Sequence, residues 1–264
     1  MHNRGLEFDL STLLERRRAL KLLAGLGLMA LVGCGSDEDT AGGDTTTSTS
    51  GSDAACSEIP AETPGPFPGN GSNGPNVLTQ SGIVRSDIRS SFGSGSAVAA
   101  GVPLTINLAV LDTGQGCAAL AGAAVYLWQC DRDGLYSMYS RGVGNENYLR
   151  GVQETDAGGR VTFKSIFPGA YSGRWPHIHF EVYPSLAMAT SAGSKMATSQ
   201  LALPADSCRL AYATDGYSAS VTNLARTSLE GDNVFRDGSS EQLATVSGDA
   251  TNGFTAELSV RVNG

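Results

Sequence analysis

The chain has 264 residues and a formal net charge of −8, with only three lysines, Lys21, Lys164 and Lys195. That balance excludes a nucleic-acid binder, which needs a basic face to neutralise phosphates. Charged residues make up only 17% and apolar residues 41%, with 34 glycines, which excludes a coiled coil or a wholly disordered chain. Helix formers are scarce after residue 33 and Thr, Ser, Val and Gly are abundant, so the body is expected to be all-β.

Residues 1–33 read as an export address. Arg16-Arg17-Arg18-Ala19-Leu20-Lys21 looks like a twin-arginine signal, and an apolar run follows from Leu22 to Val32. That run is too short to span a bilayer, which takes roughly 20 residues, but suits a signal-peptide core. Leu31-Val32-Gly33-Cys34 resembles a lipobox, in which Cys34 becomes the acylated N-terminus of a membrane-anchored lipoprotein. The alternative is an ordinary signal peptide with a chance cysteine. Residues 34–57 then form a tether of Gly, Ser, Thr and Asp with too little apolar surface to bury. The protein is therefore expected outside the cytoplasm, on the periplasmic or cell-surface face, held to a membrane through Cys34. Four cysteines remain: Cys56, Cys117, Cys130 and Cys208. In an oxidising compartment they predict two disulfides, in any of three pairings. A cysteine metal site is the weaker rival, since no pair has C-x-x-C spacing.

The folded body is expected over 58–264. Strand character appears in chain order at Pro103–Leu111, Ala123–Cys130, Gly159–Ile166, Trp175–Tyr183, Thr198–Leu203 and Phe254–Val262. Asp156–Gly159 and Asp249–Gly253 read as hairpin turns. Recurrent short strands with Gly, Pro and Asp punctuation predict a single-domain antiparallel β-sandwich with few helices. Within Trp175–Tyr183, alternation puts His177, His179 and Glu181 on one face and Ile178, Phe180 and Val182 on the other.

His177 and His179 therefore point the same way and can share one metal ion. A turn over Pro168–Pro176 brings Tyr171 and Arg174 toward them, and Tyr136 closes a turn after the strand ending in Trp128-Gln129-Cys130. Two phenols and two imidazoles form a hard donor set that favours a trivalent ion such as Fe(III) over Zn(II) or Cu(I). Trp128 and Tyr126 are expected in the core, Asp131 and Asp133 in shaping the turn before Tyr136, and Tyr139 and Tyr148 in packing or at the surface.

These segments resemble the intradiol ring-cleavage dioxygenases, the family of catechol and protocatechuate dioxygenases. The resemblance is carried by Glu62–Phe67, Ser81–Arg89, Val125–Ser137, Leu149–Asp156, Val161–Tyr171 and Arg174–Phe180. It implies that Tyr136, Tyr171, His177 and His179 hold one Fe(III) per chain and that Tyr171 leaves the metal when substrate binds. It implies that Arg174 stabilises negative charge on the substrate ring and that Gln200 lines the same pocket. The implied partners are a catechol and O2, and the implied product is a cis,cis-muconate-type diacid. Two departures stand out: the stretch from Tyr171 to Arg174 is very short, and Trp175 follows the arginine where the family usually has proline. They suggest a pocket that is more open or differently roofed. Arg85, Arg89, Arg141 and Arg150 are candidate anchors for a substrate carboxylate. The alternative function is a non-catalytic sandwich module that binds a polymer at the cell surface; a fold of this kind does not by itself give a function.

Overall fold

The computed structural model describes residues 56–264, so the signal peptide, Cys34 and nearly all of the tether lie outside the described residues. Nine strands and two short helices follow: β1 (Pro103–Asp112), β2 (Ala118–Ala119), β3 (Ala124–Trp128), β4 (Arg150–Glu154), β5 (Arg160–Ile166), β6 (His177–Tyr183), β7 (Ala197–Ala202), α1 (Ala205–Tyr212), α2 (Ser218–Leu224), β8 (Thr245–Asp249) and β9 (Gly253–Val262). They form two packed sheets. In one, β1 lies between β9 and the pair β5 and β2, with β8 outside β9; the other runs β4-β3-β6-β7.

Alternation decides which side of each strand enters the core. On β1 the residues Leu104, Ile106, Leu108 and Val110 are buried, and on β5 Val161 and Phe163 join them. They meet Val125 and Leu127 of β3 and Ile178, Phe180 and Val182 of β6 in a single cluster. The segment 83–88 straps the open side: Arg85 N–H donates to the Val152 carbonyl of β4 and Ile88 N–H to the Lys164 carbonyl of β5.

The expected all-β sandwich is present, its pairs antiparallel but for one: β1 and β9 run parallel. The chain leaves β1 through a long excursion across the second sheet and returns beside it in the same direction. The turn at Asp156–Gly159 is not a hairpin: it carries the chain from β4 in one sheet to β5 in the other. Asp249–Gly253 does close the β8–β9 hairpin. Finally, among the described residues only one disulfide forms, Cys56–Cys117. Cys130 and Cys208 are buried thiols, the first packed with Trp128 and Tyr136, the second in the sandwich core, each with its sulfur directed at a backbone carbonyl. An even count does not pair cysteines that the packing places in different clusters.

Candidate active site

The second sheet has two covered faces. All seven residues of β6 and all five of β3 are buried. One face belongs to the sandwich core; loops cover the other, and His177, His179 and Glu181 point into that layer. Strand register lines up a row across the four strands: Arg150 opposite Trp128, Trp128 opposite His179, and His179 opposite Gln200. The Trp128 and His179 rings stack at 4.9 Å between centroids, 4° from parallel.

Two loops deliver the phenols. Tyr136 follows a turn in which Asp131 Oδ1 accepts from the Asp133 and Leu135 amides, and Tyr148 Oη donates to Asp131 Oδ2. The roles expected for Asp131 and Tyr148 thus hold, and Trp128 and Tyr126 are fully buried. Tyr171 ends the loop after β5. Tyr212 and Tyr217 hold that loop through the Pro168 and Phe167 carbonyls, and Ser220 and Asn223 of α2 bind both backbone groups of Ala170. The helices therefore serve as a buttress for Tyr171. The two loops press together at Gly169, where any side chain would collide with the Arg132 carbonyl.

The result is a convergence of four donor atoms. Tyr171 Oη lies 3.1 Å and Tyr136 Oη 3.4 Å from His177 Nε2, His179 Nε2 lies 3.1 Å from the same atom, and the two phenol oxygens are 3.5 Å apart. His177 Nδ1 donates to the Trp175 carbonyl, which turns the Nε2 lone pair toward the cluster. Among the described residues no group of three or more His, Cys, Asp or Glu is placed to hold a metal ion; the cluster here depends on phenols. Donors sharing one cation at about 2.0–2.1 Å stand roughly 3–3.5 Å apart, so these edges suit a single ion. Two phenolates and two neutral imidazoles suit a hard trivalent one.

Burial first, then the Arg174 charge, pushes His177 down to about 3, and His179 is also held well below its ordinary value by burial and by His177. Burial and the neighbouring Tyr171 raise Tyr136 well above the ordinary phenol range. Without a cation both imidazoles and the Tyr136 phenol are therefore neutral. The unfolded chain takes up histidine protons near 6.5, while the folded chain refuses them. Stability of the metal-stripped protein should fall as pH drops below that value, by about 1.4 kcal/mol per histidine per pH unit. Urea unfolding of chelator-treated protein at pH 7 and pH 5 checks this; a midpoint that does not move contradicts it.

Arg174 is buried and ion-paired to Asp232 at 3.0 Å, and its Nη2 donates to Gln200 Oε1 at 2.7 Å. All six residues singled out from the sequence, Tyr136, Tyr171, Arg174, His177, His179 and Gln200, thus belong to one region. Asp232 was missed: it lies in a Gly/Asp/Asn-rich stretch that reads as a solvent turn. The roof over the site is apolar on the Trp175 side and reaches solvent at Tyr171. Trp175 packs with Val234 and Phe235, and only Tyr171, beside exposed Ser172 and Gly173, reaches half-burial. Arg150 is not placed as a substrate anchor, because its N–H groups are all committed to protein oxygens. Arg85 donates to the Arg150, Asn147 and Ser90 carbonyls, and Arg89 pairs with Asp87. Glu181 faces the same layer but binds Asn70, Tyr183 and Lys195.

A two-layer β-sandwich with a buried phenol–imidazole cluster on the outer face of one sheet defines the class. The family model described as Dioxygenase matches residues 73–208. The chain belongs to that family, the intradiol ring-cleavage dioxygenases. Among solved structures it is similar to an intradiol ring-cleavage dioxygenase from Tetranychus urticae, with 25% identity and a TM-score of 0.60 over 79% of this chain and 95% of that one. A second solved dioxygenase matches at 24% identity and a TM-score of 0.62, again over 79% and 95%. No curated protein matches the chain.

Proposed function

We propose that this chain is a ferric intradiol dioxygenase that opens a catechol ring with O2 to give a cis,cis-muconate-type diacid. The observation that carries the reading is the convergence of Tyr136, Tyr171, His177 and His179 on one point. These four would hold one Fe(III). When bound there, the ion supplies Lewis acidity that draws electron density from a catecholate and readies it for O2.

The protein's own groups do the rest. Tyr136, 2% exposed, is the donor that stays. Tyr171, half-buried at the edge, is placed to swing out and take a substrate hydroxyl proton on its Oη. Arg174 supplies fixed positive charge near the ring as it becomes anionic, in a site where buried neighbours keep water out. The Trp128 ring and the Ile178 and Phe180 core face hold the imidazoles still. On this reading the domain works outside the cytoplasm, tethered through lipid on Cys34, and the Cys56–Cys117 bridge supports an oxidising compartment.

The test is a visible spectrum of the purified protein with iron analysis and oxygen uptake. A broad tyrosinate-to-iron band, about one iron per chain and O2 consumption on adding catechol are expected. A protein that stays colourless after iron loading defeats the reading.

A further inference from the structure

Asp232 lies beyond residues 73–208, the span the family model matches, in the stretch between α2 and β8. We propose that Asp232 is a positioning residue whose carboxylate sets the orientation of Arg174 and, through residue 175, of His177. The proposal rests on the dioxygenase reading above.

The carboxylate is held at both oxygens. Oδ2 accepts from Arg174 Nε at 3.0 Å and from the Trp175 amide at 2.6 Å. Oδ1 accepts from the Val234 amide at 2.8 Å and the Phe235 amide at 3.3 Å. It cannot turn without breaking these bonds. Arg174 is then gripped along two edges, Nε by Asp232 and Nη2 by Gln200, whose own Nε2 donates to the Thr63 carbonyl. The amide of residue 175 is tied to Asp232, and the carbonyl of the same residue accepts from His177 Nδ1. One carboxylate thus reaches both the cation and a donor imidazole.

Charge points the same way. Burial works to raise the Asp232 carboxyl, but the Arg174 charge and the Trp175 amide keep it below its ordinary value, so it is an anion. It offsets a buried guanidinium standing beside a cluster that itself suits a cation. A buried ion pair is a poor device for stability alone, since an apolar pair of similar size often does as well or better. Orientation explains why this one is present, both side chains being no more than 2% exposed.

The test uses the iron-loaded protein. Asp232→Asn keeps the shape and removes the charge. Unchanged circular dichroism and iron content are expected, with kcat on catechol down about 100-fold and KM moved less than about threefold. Because Asp232 acts mainly through Arg174, the double variant with Arg174→Gln should be no more than about tenfold slower than Arg174→Gln alone. Losses that multiply, or wild-type kcat in Asp232→Asn, overturn the proposal. If Asp232→Asn does not fold, Asp232→Glu decides: it keeps the charge and displaces the oxygens by a methylene. A loss of about tenfold supports the proposal, and wild-type kcat overturns it. Hydrogen exchange at the Trp175 amide, expected to quicken about 100-fold in Asp232→Asn, reads the positioning without turnover. An unchanged exchange rate counts against the proposal, whereas a wild-type protein that cleaves no catechol counts against the parent reading.

Discussion

Tyr136→Phe should give a folded protein whose ring-cleavage rate is down by more than about 1,000-fold, because on the proposed ferric reading it removes the donor that stays on the metal through turnover. The substitution removes one oxygen and keeps the ring. The ring packs 5.1 Å from Phe67 and edge-on to Tyr171 at 6.0 Å, so the packing survives. The hydroxyl is the expensive part: burial opposes its ionisation strongly, and only a cation at the cluster makes a phenolate there tolerable. Thermal stability of the metal-free variant should therefore match or slightly exceed that of the metal-free parent, while the iron-loaded variant loses most of its visible band. Adding His177→Ala should remove the band altogether. Full colour and turnover in Tyr136→Phe would mean that the cluster does something else.

Arg150→Met should destabilise the fold by on the order of 3–5 kcal/mol, among the largest losses available from one surface-remote substitution. Arg150 is fully buried. Its Nε donates to Ser137 Oγ, Nη1 to the Pro68 carbonyl and Tyr126 Oη, and Nη2 to the Phe67 and Ser137 carbonyls. All the acceptors are neutral: methionine takes a donor from each, and although the Pro68 carbonyl keeps Tyr126 Oη, the Phe67 and Ser137 carbonyls lose the donors that Arg150 gives them. Lysine keeps the charge but presents a point instead of a planar fork, and Arg150→Lys should recover less than half the loss. The residue also joins the Phe67–Pro68 segment to Ser137, next to Tyr136, so the variant should broaden the metal band. A urea midpoint within about 1 kcal/mol of wild type at unchanged m would show that the network contributes little.

The six strands with a strong apolar or alternating pattern were legible, and the structure places each within two residues of its expected limits. Strand β4 was not, because Arg150-Gly151-Val152-Gln153-Glu154 holds one large apolar residue; pairing with β3 makes it a strand. Strand β8 (Thr-Val-Ser-Gly-Asp) is mostly exposed and owes its form to β9. The helices are 8 and 7 residues long, too short to show a period against their surroundings. Helix α1 did carry a start signal, Pro204 followed by Asp206 in its first turn. The cluster was legible because two of its members sit at i and i+2 on one strand and the phenols end adjacent loops. Asp232 was not, because its partners are 57 and 58 residues away and nothing near it in sequence marks an acid as buried.

The row Arg150–Trp128–His179–Gln200 ties the chemistry to the counting of residues along four separate strands. A single-residue insertion inside β6 would exchange Ile178 for His179 at that level, sending an imidazole into the oil of the sandwich and an isoleucine toward the phenols. Drift in length is therefore barred from these strands and left to the loops that carry Tyr171 and Trp175. Anyone transplanting this centre into another scaffold would need to copy the alignment of four strands before copying a single side chain.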